Sequence, residues 1–162
     1  MIKENLQTIL AEIEKAKARR TLVAKDEPVK LIAVTKNHDV AAMREAIDAG
    51  ATDIGENRIQ EAKEKYKVLD RKVVWHLIGH LQTNKAKYAV KYFDLIHSVD
   101  SEHLALAINN EAAKLNKVQD ILVQVNLAKE ASKSGIYKEH LRGLLDIVEE
   151  LPNLRLCGLM CI

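Results

Sequence analysis

Cysteine is scarce in this sequence, and its two cysteines, Cys157 and Cys161, are not placed to form a disulfide. They lie four residues apart in a stretch predicted to be a strand, which separates them by roughly 13 Å. A disulfide requires Cα atoms within about 7 Å of each other. The same spacing makes a poor metal site. We therefore expect no bound metal and a reduced protein of the cytoplasm.

Long apolar runs and an excess of one charge sign are also missing. No run approaches the roughly 20 apolar residues of a membrane-spanning helix, and the N-terminus lacks the apolar core of a signal peptide. The formal net charge is only +2, with basic and acidic residues mixed throughout. We therefore expect neither a membrane nor a nucleic acid as partner. With 162 residues, 48% apolar and 30% charged, the composition is typical of one globular domain over residues 1–162.

The most informative stretch is residues 29–36, an apolar run rich in β-branched residues that stops at Lys36. Apolar residues on both faces predict a strand buried in a parallel sheet. Residues 39–49 have helical spacing and end at Gly50, a residue that commonly follows a helix. A strand that feeds a helix places Lys36 at the strand's carboxyl end, where parallel α/β folds carry ligand sites.

Strand-like and helix-like stretches alternate along the chain after an amphipathic N-terminal helix predicted over residues 2–19. The predicted strands are 29–34, 52–54, 73–78, 94–99, 119–125 and 154–162, and the predicted helices between them are 39–49, 57–69, 84–91, 101–115 and 138–150. This alternation predicts a parallel α/β fold. The turn at 35–38 has no glycine, so the fingerprint of a dinucleotide-binding doubly wound sheet is absent and a (β/α) barrel is favoured. A barrel has eight strands and typically about 250 residues; we therefore expect only about six of the eight strands here and a barrel incomplete at its C-terminus.

The residue pattern alone leaves two interpretations of Lys36 open, a solvated cation or a nucleophilic amine. If Lys36 points into the barrel, strand alternation turns Ile32 and Val34 the same way. Desolvation at a barrel mouth favours the neutral amine, which is the form that attacks an aldehyde. Under the second interpretation Lys36 is expected to be desolvated in this way, and the pattern alone does not decide between the two.

Other polar residues stand at or near the ends of predicted strands. Asn57 is suited to capping the next helix, and that role alone accounts for it. His80 lies at the same rim as a candidate contact for a ligand ring, whereas His76 is interpreted as a buried polar residue. Gln124 and Asn126 are polar side chains in an apolar strand, which indicates either a site or a buried hydrogen-bond network.

Taken together and in order, these stretches resemble the pyridoxal phosphate homeostasis proteins, single-domain relatives of alanine racemase. The matching motifs are Val34-Thr35-Lys36, Ile54-Gly55-Glu56-Asn57, WHLIGHLQTNK (75–85), IHSVD (96–100), VQVN (123–126), SKSG (132–135) and LRLCGLM (154–160). Together they cover nearly the whole chain.

The resemblance implies a barrel like the N-terminal domain of alanine racemase that holds pyridoxal 5′-phosphate (PLP) as a Schiff base on Lys36. Asn57, His80 and Met160 are the further candidates for contact with the cofactor. The family has no established turnover; it is thought to bind, store or deliver PLP, with PLP-requiring apo-enzymes as candidate partners. We therefore predict a cofactor-binding protein without catalytic residues.

The chain departs from the family pattern in three respects. Thr35 stands where the family usually has serine, and Cys161 stands where it has threonine or alanine. The family's phosphate-binding segment and its arginine facing the pyridine nitrogen correspond to positions beyond Ile162. No residue of this chain is assigned to those two roles.

Two other functions are compatible with a lysine in a barrel. A PLP-dependent amino-acid racemase needs acid–base groups on both faces of the cofactor, one of which comes from a second domain in the racemases. An aldolase that uses a lysine Schiff base without a cofactor fits the lysine but not the set of motifs.

Alternation along the last strand predicts the direction of its side chains. We expect Cys157 and Cys161 to face the helical layer. Gly158 and Met160 are then expected to face the barrel interior.

We predict that the isolated 162-residue chain self-associates and binds PLP weakly. Its first and last strands are apolar and lack proline, the profile of an aggregation-prone edge. Analytical ultracentrifugation and a PLP titration check this. A monomer that saturates at low micromolar PLP would contradict it.

Overall fold

Six parallel strands form one sheet, and their order across the sheet is their order along the chain. The computed structural model describes all residues, Met1–Ile162. The strands are β1 (Ala33–Val34), β2 (Asp53–Glu56), β3 (Val74–Leu77), β4 (Leu95–Val99), β5 (Gln119–Gln124) and β6 (Leu154–Met160). A doubly wound sheet reverses its strand order at a switch point, whereas a barrel does not. The predicted parallel α/β fold with the strand order of a barrel is confirmed, with the sheet open between its edge strands β1 and β6.

Six helices accompany the strands. They are α1 (Ile2–Arg19), α2 (Val40–Asp48), α3 (Ile59–Val68), α4 (Ala86–Tyr92), α5 (Glu102–Lys114) and α6 (Lys138–Glu149). Asp39 accepts a hydrogen bond from Ala42 N–H and begins α2, and Ser101 accepts one from Leu104 N–H and begins α5, as predicted for Ser101. Gly50 follows α2 with φ of +116°, a conformation that glycine adopts without steric cost. No helix combines the length and the apolar character that crossing a membrane requires.

The apolar core lies between the sheet and the helices. It contains 21 buried residues, among them Trp75 and Leu77 of β3 and Phe93 just after α4. The intervening His76 faces the other side of the sheet, where it contacts His97 of β4. This inner face therefore carries polar side chains, and the expectation that His76 is buried is confirmed.

Two of the differences between predicted and observed bounds affect the carboxyl edge of the sheet. The first strand has only two residues rather than six, and it forms a ladder with β2 alone. The third helix begins at Ile59, with Arg58 at its cap position and no capping side chain. The prediction that Asn57 caps this helix is therefore wrong.

An irregularity in β6 changes the direction of its side chains. Ile121 pairs with Leu156, but Leu122 pairs with Gly158, so Cys157 is an extra residue in the ladder. Cys157 is exposed rather than packed against helices.

The last residues of the chain also differ from strict alternation. Cys161 follows the end of β6, is exposed and lines the same cavity as Met160. The expectation that both thiols face the helical layer is wrong, whereas the expectation that Met160 faces the interior is confirmed.

Candidate functional site

Lys36 lies just after β1 at the carboxyl edge of the sheet and borders the largest described cavity. That cavity has a volume of about 600 Å³, within the range of about 300–1,000 Å³ typical of ligand pockets. Ile32 and Val34 line it together with Lys36, as alternation predicted. Lys36 itself is exposed, so the expected desolvation of this side chain is not found.

The backbone on both sides of Lys36 is held by α3. Lys65 Nζ donates a hydrogen bond to the Thr35 carbonyl oxygen at 2.7 Å. On the other side, Asn37 N–H donates to Glu61 Oε1 at 2.6 Å. Asn37 has φ of +62°, a left-handed conformation that asparagine tolerates better than most residues. The segment that carries Lys36 is thus fixed at both of its neighbours.

Lys65 is itself buried between two carboxylates. Its Nζ lies 2.6 Å from Glu56 Oε1 and 2.7 Å from Glu61 Oε1. Thr35 Oγ1 donates a further hydrogen bond to Glu56 Oε1 at 2.9 Å. Glu56 is fully buried, and its second oxygen has no hydrogen-bond partner. Because a buried carboxylate is costly without a counter-charge, Lys65 is the cation that makes Glu56 tolerable. We call Thr35, Glu56, Glu61 and Lys65 the clamp.

The clamp has a consequence for pH dependence. The hydrogen bond from Lys65 lowers the pKa of Glu61; burial opposes this effect and the Asn37 N–H adds to it. A carboxyl group whose pKa is lowered by folding stabilises the folded state above its unfolded pKa. That contribution is lost as the pH falls through the lowered, folded value.

The four predicted site residues, Lys36, Asn57, His80 and Met160, all line the one cavity. Asn57 follows β2 and lies so close to Gly79 that a Cβ at position 79 would collide with the Asn57 backbone. Met160 reaches the cavity because it pairs in register with Gln124 of β5. Their roles in binding a ligand remain predictions.

A loop after β5 forms another wall of the cavity. Asn126 folds this loop through hydrogen bonds of its side-chain amide with Glu130 and Lys133. Gln124 Nε2 donates to the Ser134 carbonyl oxygen at 3.3 Å, and Ser134 Oγ lies 3.3 Å from His80 Nδ1. Gln124 and Asn126 therefore belong to a hydrogen-bond network at the cavity wall. The sequence left open whether they indicate a site or such a network, and the structure shows the network beside the candidate site.

Sequence reasoning overlooked His97, which also lines the cavity. It is 7% exposed and lies in β4, between Ile96 and Ser98. A second histidine inside a buried strand, in addition to His76, was the available signal, because buried polar groups need partners. Lys65, Glu56 and Glu61 were also overlooked; the alternating charges of residues 62–67, which include Lys65, are typical of a solvated helix face.

The chemistry that this arrangement permits follows from the primary amine of Lys36, which lies beside apolar and polar walls. A primary amine adds to an aldehyde carbon and water leaves, which gives a Schiff base. Ile32, Val34, Ile78 and Met160 offer apolar contact to a flat ring, and Asn57 and His80 offer hydrogen bonds. The residues of the cavity therefore fit a ring-bearing aldehyde such as PLP.

Comparison with known proteins gives the family. Residues 2–162 match the family "Alanine racemase, N-terminal domain". A pyridoxal phosphate homeostasis protein of Aquifex aeolicus is 41% identical over 160 residues, which are 98% of this chain and 69% of that protein. One from Vibrio alginolyticus is 36% identical, over 99% of this chain and 70% of that protein.

Solved structures give the same relationship. PipY of Synechococcus elongatus, solved with PLP bound, has a TM-score of 0.84 and 38% identity, and the match covers all of this chain and 70% of PipY. The alanine racemase of Clostridium difficile has a TM-score of 0.69 at 15% identity, so it shares the fold alone. On this evidence the chain belongs to the pyridoxal phosphate homeostasis protein family, within the wider family of alanine racemase N-terminal domains.

Proposed function

We propose that this chain binds PLP as a Schiff base on Lys36 and serves the intracellular homeostasis of that cofactor, without turning over an amino acid. The observation that carries the proposal is the position of Lys36, at the carboxyl edge of the sheet in a cavity shared with Asn57, His80 and Met160. The family relationship supports it, since a relative of 38% identity was solved with PLP bound.

The accessibility of Lys36 suits a carrier. A Schiff base is reversible: water adds to the imine carbon, and the amine leaves with release of the aldehyde. Because Lys36 is exposed, water and an accepting protein can reach this bond. An enzyme that works through a reactive intermediate usually excludes water from it. The likeness to the racemases is one of fold, so we propose delivery to PLP-requiring apo-enzymes rather than racemisation.

The clamp has a defined part in this function. It fixes the backbone of Thr35 and Asn37, so the Lys36 side chain leaves the sheet edge in a set direction. Only the side chain of Lys36 then loses freedom when it reacts, because the main chain around it is already ordered.

We expect Lys36→Ala to abolish the covalent adduct that borohydride traps from PLP. Lys133 is the matched control, because it is a second lysine that lines the same cavity. Lys133→Ala should keep the adduct on Lys36. Peptide mass spectrometry of the reduced proteins checks this, and an adduct that stays in Lys36→Ala and disappears in Lys133→Ala would contradict the assignment.

The two thiols provide an internal comparison for the place of binding. Both are exposed, but only Cys161 lines the cavity. We expect both to react rapidly with a thiol reagent in the free protein, and saturating PLP to slow Cys161 alone. Rates measured on Cys157→Ser and Cys161→Ser separate the two sites. Equal protection of both thiols, or of neither, would speak against binding in this cavity.

Removal of the cation in the clamp should affect both stability and the reaction with PLP. Loss of one partner of a buried ion pair costs about 3–5 kcal/mol, so we expect Lys65→Met to lower the free energy of unfolding by that amount. Lys67→Met removes an exposed pair with Glu64 on the same helix and should cost at most about 1 kcal/mol. Urea unfolding measures both variants.

A variant with a smaller effect on stability tests whether the clamp positions Lys36 for its reaction with PLP. Glu61→Gln keeps an acceptor near Asn37 N–H but removes one charge beside Lys65. We expect slower imine formation with PLP than in the Lys67→Met control, measured by stopped-flow absorbance. Identical rates would show that the clamp does not position Lys36.

A further inference from the structure

Three buried side chains form a continuous hydrogen-bonded chain that ends at the cavity. Asp53 Oδ2 lies 2.7 Å from His76 Nε2, and His76 Nδ1 lies 2.8 Å from His97 Nε2. Their exposed fractions are 1%, 3% and 7%. The series runs across three neighbouring strands, from the start of β2 through β3 to β4, and only its last member lines the cavity of Lys36.

The first member determines where the protons sit. Asp53 also accepts hydrogen bonds from Thr52 Oγ1 at 2.7 Å and from Lys30 Nζ at 3.2 Å through its other oxygen. Burial alone would raise the pKa of Asp53, but the hydrogen bonds from Thr52, His76 and Lys30 outweigh it, and the pKa is lowered. Asp53 is therefore an ionised acceptor at neutral pH, so His76 Nε2 must carry a proton.

The proton on His76 Nε2 determines where the other ring protons of His76 and His97 lie. In a neutral His76 with its proton on Nε2, Nδ1 is an acceptor. His97 Nε2 must then donate to it, which leaves His97 Nδ1 without a proton. His97 Nδ1 has no partner within the protein. The carboxylate thus orients His76 with its Nε2 proton toward Asp53, in the way that a buried aspartate orients the histidine of a catalytic triad, and a neutral His76 passes this order on to His97.

We propose that His97 contacts the ligand bound at Lys36, and that it does so as a hydrogen-bond acceptor through Nδ1, held in this tautomer by His76 and Asp53. The inference rests on the proposed function for the identity of the ligand. It adds a specificity: the cavity accepts a ligand that presents a proton-bearing group to His97. In PLP the group of this kind on the ring is the hydroxyl.

The series also offers a place for a displaced proton. If a ligand gives its proton to His97 Nδ1, the Nε2 proton of His97 passes to His76 Nδ1, and the positive charge comes to lie beside the Asp53 carboxylate. His97 is unsuited to keeping that charge, because burial and then the neighbouring His76 lower its pKa to about 4. The three side chains form a line and not a cluster that could hold a metal ion.

The charged and titratable groups near this system are few. Lys30 and Asp53 lie at its far end. Lys36, His80, Lys133 and Cys161 line the cavity that His97 faces, together with the neutral Gln124 and Asn126. None of these cavity residues donates a hydrogen bond to His97, which leaves its Nδ1 available to a ligand.

Nitrogen-15 NMR of the histidine-labelled 162-residue chain tests the inference directly, since protonated and unprotonated ring nitrogens have distinct chemical shifts. At neutral pH we expect His97 to show protonated Nε2 and unprotonated Nδ1. Addition of PLP should move the Nδ1 signal. A protonated Nδ1 in the free protein would overturn the proposal.

Mass spectrometry of the same sample after borohydride reduction distinguishes a failure of this inference from a failure of the proposed function. An adduct on Lys36 with an unmoved Nδ1 signal overturns the present inference and leaves the proposed function intact. The absence of an adduct on Lys36 overturns the proposed function, and with it the ligand contact of His97.

Variants give an independent measurement of the same contact. We expect His97→Phe to raise the Kd for PLP about 2- to 12-fold, the effect of one net hydrogen bond. His103→Phe changes an exposed histidine on α5 and should leave the Kd unchanged. Equal Kd values for His97→Phe, His103→Phe and the unmodified chain would overturn the contact.

Discussion

The site depends on one buried ion pair, that between Lys65 and Glu56. Its two partners come from α3 and from β2, and neither is tolerable in the interior without the other. The same ammonium group donates a hydrogen bond to the carbonyl oxygen of Thr35, so the pair also holds the segment that carries Lys36. Threonine at position 35, where the family usually has serine, is a mild change, because it keeps the hydroxyl group that donates a hydrogen bond to Glu56.

Two polar systems therefore serve the two faces of the same sheet. On the helical side, the clamp sets the backbone on both sides of Lys36. On the inner side, Asp53, His76 and His97 set the proton positions of a side chain in the cavity. The apolar core holds both in place, since Trp75 and Leu77 anchor the outer side of β3 while His76 lies between them on the inner side. Lys36 itself stays exposed, which suits the proposed loading and release of PLP.

Much of this arrangement could be predicted from local sequence patterns. Alternating strands and helices gave the parallel sheet, and the end of an apolar run placed Lys36 at its carboxyl edge. The predictions that failed concern single positions with competing local roles. Asn57 was interpreted as a cap because its residue type suits one, but the helix begins two residues later. The extra residue in β6 left no signal in the apolar pattern, and it changed the environment of Cys157.

The clamp and the histidine series could not be predicted because they join residues far apart in sequence. Lys65 contacts a carbonyl group 30 residues earlier, and His76 contacts His97 21 residues later. The most direct test of the central claim is a crystal structure of this chain soaked with PLP. The account predicts continuous density from Lys36 Nζ to the ligand, with Lys65 Nζ still bonded to the Thr35 carbonyl oxygen. Ligand density on another lysine, or a Lys36 segment released from Lys65, would contradict it.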